Sequence, residues 1–282
     1  MIRIIYTALL FFALSLFIIE KSFSLTKEEI LSCVVSAEPR NKVDMIVKAQ
    51  LLFDGKFFQY DYTLISKSTS SQKVVMFSVD PFDKRKGKYQ TYDDKGIEQK
   101  APTGWNTTVG LTRITALWGS DKGYELAPGG SVTGFSYITP TLPGIMDYYA
   151  EGLAPIPEVS CEFDEPIPGY DDLTPYGPGV VGKTIGPTAP PADFEPIDFL
   201  NYIINMKHET FSLGWIPNKG IEQSLDVKLN AAKKKIEVGD IKTAQNILSA
   251  FLNELEAQKK HLTSEAYGLL RYNVEYLRSS LL

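Results

Sequence analysis

Gly177, Gly182, Lys183 and Thr184 fit the spacing G-x-x-x-x-G-K-[ST], the pattern of a loop that wraps nucleotide phosphates. That chemistry needs a strand before the loop and a helix starting at the Lys-Thr pair. Backbone N–H groups and the helix dipole then converge on the phosphates. The flanking residues oppose this. Pro166, Pro168 and Pro175 precede the match, Pro187, Pro190 and Pro191 follow it, and Pro178 removes one of the lining amides. No helix begun at Lys183 reaches a second turn through those prolines. The match therefore reads as part of an irregular linker with Lys183 in solvent, and no nucleotide or other cofactor is expected.

Other reaction chemistries are as thinly supplied. The two histidines, His208 and His261, fall in an expected helix and at a helix boundary. A serine or cysteine nucleophile normally needs a histidine base with an orienting partner, and G-x-S-x-G does not occur. Ser212 stands where H-E-x-x-H after His208-Glu209 would need its second histidine, so no zinc site is assigned. A glycan-cleaving hydrolase is the alternative reading. It would need two of Asp93, Asp94, Asp121, Asp147, Asp164 and Asp172 facing one cleft. Calcium is a further option at FDEPIPGYDDL, which holds Asp164, Glu165, Asp171 and Asp172 but lacks D-x-D-x-D-G spacing; a solvated loop is preferred. No catalytic or metal-ligating residue is assigned, and the chain is read as non-enzymatic.

Binding by exposed aromatic rings is the remaining chemistry. Tyr148 and Tyr149 are adjacent, and neighbours in a strand point to opposite faces. One of the two is expected at the surface, as a possible binding site for an extracellular protein or a glycan. The formal net charge is -5. An acidic balance offers no electrostatic reason to bind nucleic acid.

The chain begins with Arg3, an apolar run from Ile4 to Ile19, and Ser22-Phe23-Ser24. This is the pattern of a signal peptide cleaved near Ser24. The run is short for the roughly 20 apolar residues of a membrane span. A secreted, periplasmic or extracellular location is expected, with no stable span after cleavage. Two cysteines, Cys33 and Cys161, would then meet an oxidising compartment, where a disulfide between them is favoured over two separate thiols.

From Val43 to Glu151 the chain reads as strands. DMIVKAQLLF and KFFQYDYTLIS flank Asp54-Gly55, a hairpin signal. KVVMFSV, WNTTVGLTRITALW, GGSVTGFSYIT and GIMDYYAEG continue the series. Short strands separated by turns predict an antiparallel β-sandwich of about seven strands over 25–151, immunoglobulin-like by pattern alone. Ten of the 17 prolines fall between Pro155 and Pro196, so 152–195 reads as a proline-rich linker. Helices take over at 196–282. Ile221, Leu225, Leu229, Ala232 and Ile236 form one stripe; Ala244, Leu248, Phe251 and Leu255 another; Ala266, Leu269, Leu270, Val274 and Leu277 a third. Gly239 closes one helix, Asp240 caps the next, and Thr263 or Ser264 caps the last. The fold class is α+β in two parts, a sandwich followed by a linker and a helical bundle.

The stretches GIEQSLDVKLNAAKKKIEVGD, NILSAFLNELEAQ and LTSEAYGLL, within about 219–281, resemble the FIMAH domain, a helical module at the ends of secreted bacterial proteins. Phe251-Leu252 and Lys260 are mild departures from its usual residues. The resemblance covers less than a quarter of the chain. It implies a bacterial, extracytoplasmic, non-catalytic appendage and carries over no functional residues. The sequence therefore points to a secreted binding or assembly module of the bacterial envelope or extracellular space, or to a structural spacer in an envelope assembly.

Overall fold

The computed structural model describes residues 34–36, 38–79, 82–83, 88–89, 98–109, 116–155, 158–159, 179–188 and 194–281. In chain order the strands are β1 (Val34–Ser36), β2 (Met45–Phe53), β3 (Phe58–Ser66), β4 (Val74–Val79), β5 (Phe82–Asp83), β6 (Lys88–Tyr89), β7 (Glu98–Lys100), β8 (Trp105–Val109), β9 (Ala116–Ser120), β10 (Ser131–Thr139), β11 (Leu142–Gly152), β12 (Glu158–Val159) and β13 (Val180–Thr188). Four helices follow: α1 (Pro196–Ser212), α2 (Lys219–Glu237), α3 (Ile241–Ala257) and α4 (Ser264–Ser280). Among the described residues, no helix is long and apolar enough to cross a membrane.

The chain divides into two compact units. In the first, Met1–Glu38 with Pro155–Tyr176, β1 pairs antiparallel with β12, Val34 opposite Val159. The second unit, Pro39–Ala154 with Gly177–Leu282, holds everything below.

Two antiparallel sheets form its strand-rich part, in the orders β2-β3-β10-β7 and β13-β11-β4-β9-β8. The Asp54-Gly55 signal makes the β2–β3 hairpin. Asp54 accepts from the amides of Lys56 and Phe57 at 2.8 and 2.7 Å, and Gly55 takes φ +99°. Alternation then sends Met45, Val47, Ala49 and Leu51 inward along β2, and Phe58, Tyr60, Tyr62 and Leu64 inward along β3. Between the sheets lies an aromatic core. Trp118 stacks on Phe77 at 5.3 Å, and Tyr62 and Phe135 meet it edge-on. Trp105 closes on Phe135 at 5.0 Å. Buried polar tips are satisfied by backbone: Trp118 Nε1 donates to the Lys100 carbonyl, Tyr62 to Ile185, and Tyr148 to Met45. All three bonds tie one sheet to the other.

Nine strands build these sheets instead of the seven expected, and β13 comes from the stretch expected to be irregular. Residues 180–188 lie beside β11 from Val180–Ala150 to Thr188–Leu142. Their place at the sheet edge is the physical reason a proline fits. Pro187 lies opposite Pro143, a position where neither residue is asked to donate to the other.

The helices follow the expected apolar stripes, and the expected caps form. Asp240 accepts from the Thr243 amide at 3.3 Å, Thr263 from the Ala266 amide at 3.3 Å, and Gly239 adopts φ +74°. Asn218 adds a cap on α2. Instead of packing only on one another, the helices share a core with the strands through α4, which crosses β2 and β11. Gly268 permits that approach: a Cβ there would lie 3.0 Å from the Leu51 Cβ.

The fully buried Tyr62 makes the sandwich sensitive to alkali. Burial, reinforced by Tyr137 and Asp61, pushes its phenol well above the ordinary 10.0, and burial raises Tyr148 as well. The native state thus holds these protons more tightly than the unfolded chain. Their stabilisation is complete below the unfolded value of 10.0 and is lost as pH rises beyond it. Urea midpoints should be level below that pH and fall above it, with a shallower fall in Tyr62→Phe. An identical fall in both proteins would show that Tyr62 is not responsible.

Candidate functional site

The β2–β3 hairpin and α4 meet around a groove of ≈ 420 Å³. Its floor is Phe53, Phe58, Pro140, Leu142, Tyr272 and Tyr276. Phe53 ends β2, where the strand runs past the core, so its ring is 41% exposed and stacks on Phe58 at 4.4 Å. Tyr272 of α4 meets both rings edge-on, at 5.7 and 5.3 Å. Burial raises its phenol, an effect partly offset by the Arg271 guanidinium lying 5.7 Å over the ring. Lys56, Glu275, Arg278 and Ser279 form the rim. Glu275 accepts from Arg271 Nε at 3.0 Å. On its other side Arg271 donates to the Tyr267 hydroxyl, which donates to Glu256. That bond is the leading reason the Glu256 carboxyl is held below its ordinary pKa. The volume lies within the range of ligand pockets, about 300–1,000 Å³, and the aromatic floor with a polar rim is their usual chemistry.

A second cluster joins α1 to α2. Lys207, fully buried, places its ammonium against Glu222, 2.7 Å from Asp226 and 3.1 Å from His208 Nδ1. His208, Glu222 and Asp226 could by spacing hold a cation. The lysine ammonium already sits among them, so the cluster reads as an internal ion pair that locks two helices. The His208 ring is 54% exposed.

The residues singled out by sequence are distributed as follows. Tyr148 points into the core at 6% exposure, and its hydroxyl is bonded to Met45, so it presents no ring at the surface. Tyr149 lies on the opposite face, half-buried, beside Val181 of β13. Neither lines the groove. Asp147 is paired with Lys183, and Asp121 accepts from Asn106 at 2.7 Å; neither lines the groove. Asp93, Asp94, Asp164, Glu165, Asp171 and Asp172 lie outside the described residues, as do Cys33, Cys161 and the leader.

The phosphate-loop match has a structural explanation. Gly182 lies opposite Tyr148, and a Cβ on it would clash with that ring, meeting Cζ first. Lys183, expected in solvent, reaches across to Asp147 of β11 and is half-buried. Thr184 is buried. From Val180 to Thr184 the run is extended, so its amides ladder with β11 instead of converging on an anion. Gly182→Ala is expected to cost about 1–3 kcal/mol through overpacking, because the bonded Tyr148 ring has nowhere to retreat. Denaturant midpoints would read this, and an unchanged midpoint would refute the packing role.

The groove residues were missed because no motif marks them. The available signals were the phenylalanines on both sides of the hairpin turn and the i, i+4 pair Tyr272 and Tyr276.

Comparison with known proteins bears on the helices. Residues 211–279 match the FIMAH domain. The C-terminal region thus carries a FIMAH-like helical domain. The match begins at the end of α1, somewhat before the boundary near 219 expected from sequence, and covers α2, α3 and nearly all of α4. Tyr272, Glu275 and Arg278 of the groove therefore belong to the FIMAH-like stretch, whereas Phe53, Lys56 and Phe58 belong to the strands. Among solved structures, the chain is similar to the zebrafish "Fcho1 Mu homology domain (Danio Rerio) with bound Eps15 peptide", at 13% identity and a TM-score of 0.24. That match covers 41% of this chain and 38% of the other, and carries no functional inference. No curated protein matches the sequence at a significant level.

Proposed function

We propose that this protein is a secreted, non-enzymatic binding or assembly module of the bacterial envelope or extracellular space, and that the groove between the β2–β3 hairpin and α4 is its ligand site. The aromatic groove carries the reading. Phe53 is a large ring left partly exposed in a concavity of ligand size, built jointly by the strands and the FIMAH-like helices. The apolar run after Arg3 supports secretion. Pairing of Val34 with Val159, the described residues nearest the two cysteines, supports a Cys33–Cys161 disulfide. The mass of the exported chain before and after reduction and alkylation tests both. A retained leader or two freely alkylated thiols would count against them.

A displayed peptide library panned on the full chain tests the groove. Enrichment is expected on the wild type and is expected to be lost on Phe53→Ala/Tyr272→Ala. Centrally placed interface aromatics commonly contribute about 2 kcal/mol or more each, roughly a thirtyfold change in affinity. Equal enrichment on both proteins, or none on either, would remove the groove from consideration.

A further inference from the structure

We infer that the ligand of this groove is a peptide segment carrying carboxylates beside an aromatic or large aliphatic anchor; this rests on the binding reading above and names its ligand class. The anchor is set by the floor, where Phe53, Phe58 and Tyr272 form an apolar surface open at Phe53. The charge is set by the rim. Lys56 is exposed in the hairpin loop, its ammonium 4.8 Å over the Phe57 ring, and Arg278 donates to the Ser249 hydroxyl at 3.2 Å. Neither has a carboxylate within ion-pair distance among the described residues. The acids nearby are already engaged: Asp54 by the amides of Lys56 and Phe57, and Glu275 and Glu256 by Arg271. Among the described residues, a chain with a formal charge of -5 therefore places two cations outside any ion pair at the mouth of its aromatic groove.

Such a mouth attracts anionic ligands and repels cationic ones, and complementarity of this kind selects partners. A neutral glycan would leave both cations without a counter-charge. A bare anion would leave the aromatic floor uncovered. A peptide with acidic residues flanking an apolar anchor satisfies both parts of the site.

The experiment compares two labelled, end-blocked peptides, DFEFD and KFKFK, by fluorescence anisotropy against the full exported chain. DFEFD should bind and KFKFK should bind at least about tenfold more weakly. Lys56→Glu/Arg278→Glu should reverse that order. Lys56→Glu alone, at an exposed loop position, should narrow the gap without affecting the fold. Raising the salt concentration should weaken DFEFD binding. Equal binding of the two peptides, or a preference unmoved by Lys56→Glu, would overturn the inference. Failure of both probes while the library still enriches other peptides on the wild type alone would overturn it and leave the groove reading intact. Failure of probes and library together would end both.

Discussion

Replacing Lys207 by alanine is expected to lower the unfolding free energy by about 3–5 kcal/mol, a large part of what a domain possesses. The loss comes less from the missing attraction than from what remains. Glu222 is buried at 8% exposure, with Lys207 as its principal counter-ion, and a buried carboxylate without one must be protonated or drawn toward water. Asp226, more exposed, suffers less. Lys207→Met/Glu222→Leu should therefore recover most of the loss, since apolar replacement of a buried ion pair is often neutral or stabilising. Urea midpoints of the two variants decide it. A single variant as stable as wild type, or a double variant no better than the single, would contradict the account.

Glu265→Ala is expected to cost about 1.5–3 kcal/mol, the usual worth of a hydrogen bond to a charged group. Glu265 is the most consequential polar contact between strands and helices. β2 is the outermost strand of its sheet, and outward backbone groups on such a strand invite pairing with other chains. At Ala49 they are covered. The Ala49 amide donates to Glu265 at 2.6 Å, and the Ala49 carbonyl accepts from Ser264 at 2.7 Å, both from the first turn of α4. Lower on the helix, Asn273 donates to the Pro143 carbonyl at 2.9 Å. A chain ending at residue 195 would uncover the β2 edge together with Leu51, and it should associate or precipitate. Light scattering would show this directly. A monomeric, stable truncation would mean that the strands do not depend on α4.

Much of the architecture was legible locally. The Asp54-Gly55 turn, the alternation in β2 and β3, the helical stripes, and the caps at Asp240 and Thr263 depend on residues within a few positions of one another. Local chemistry also sufficed to reject the phosphate loop, because prolines on both sides deny it a helix. The replacement reading, an irregular linker, did not match 180–188. Proline is a breaker when judged by its neighbours, but at a sheet edge opposite Pro143 it breaks nothing. Only the partner strand reveals that, and β11 lies some 40 residues away in the chain.

The groove and the ion cluster were illegible for the same reason. Phe53 and Tyr272 are 219 positions apart, and His208 drew attention while the adjacent Lys207 held the buried centre. By itself the sequence determined the strand-then-helix order, the element caps and the FIMAH-like stretch, because hydrophobic period and cap chemistry act within a turn or a strand. Tertiary structure alone decided that Gly182 makes room for Tyr148, that α4 covers the β2 edge, and that a hairpin and a helix share one aromatic groove. Those outcomes depend on which distant surfaces exclude water together, and that is a property of the packed chain.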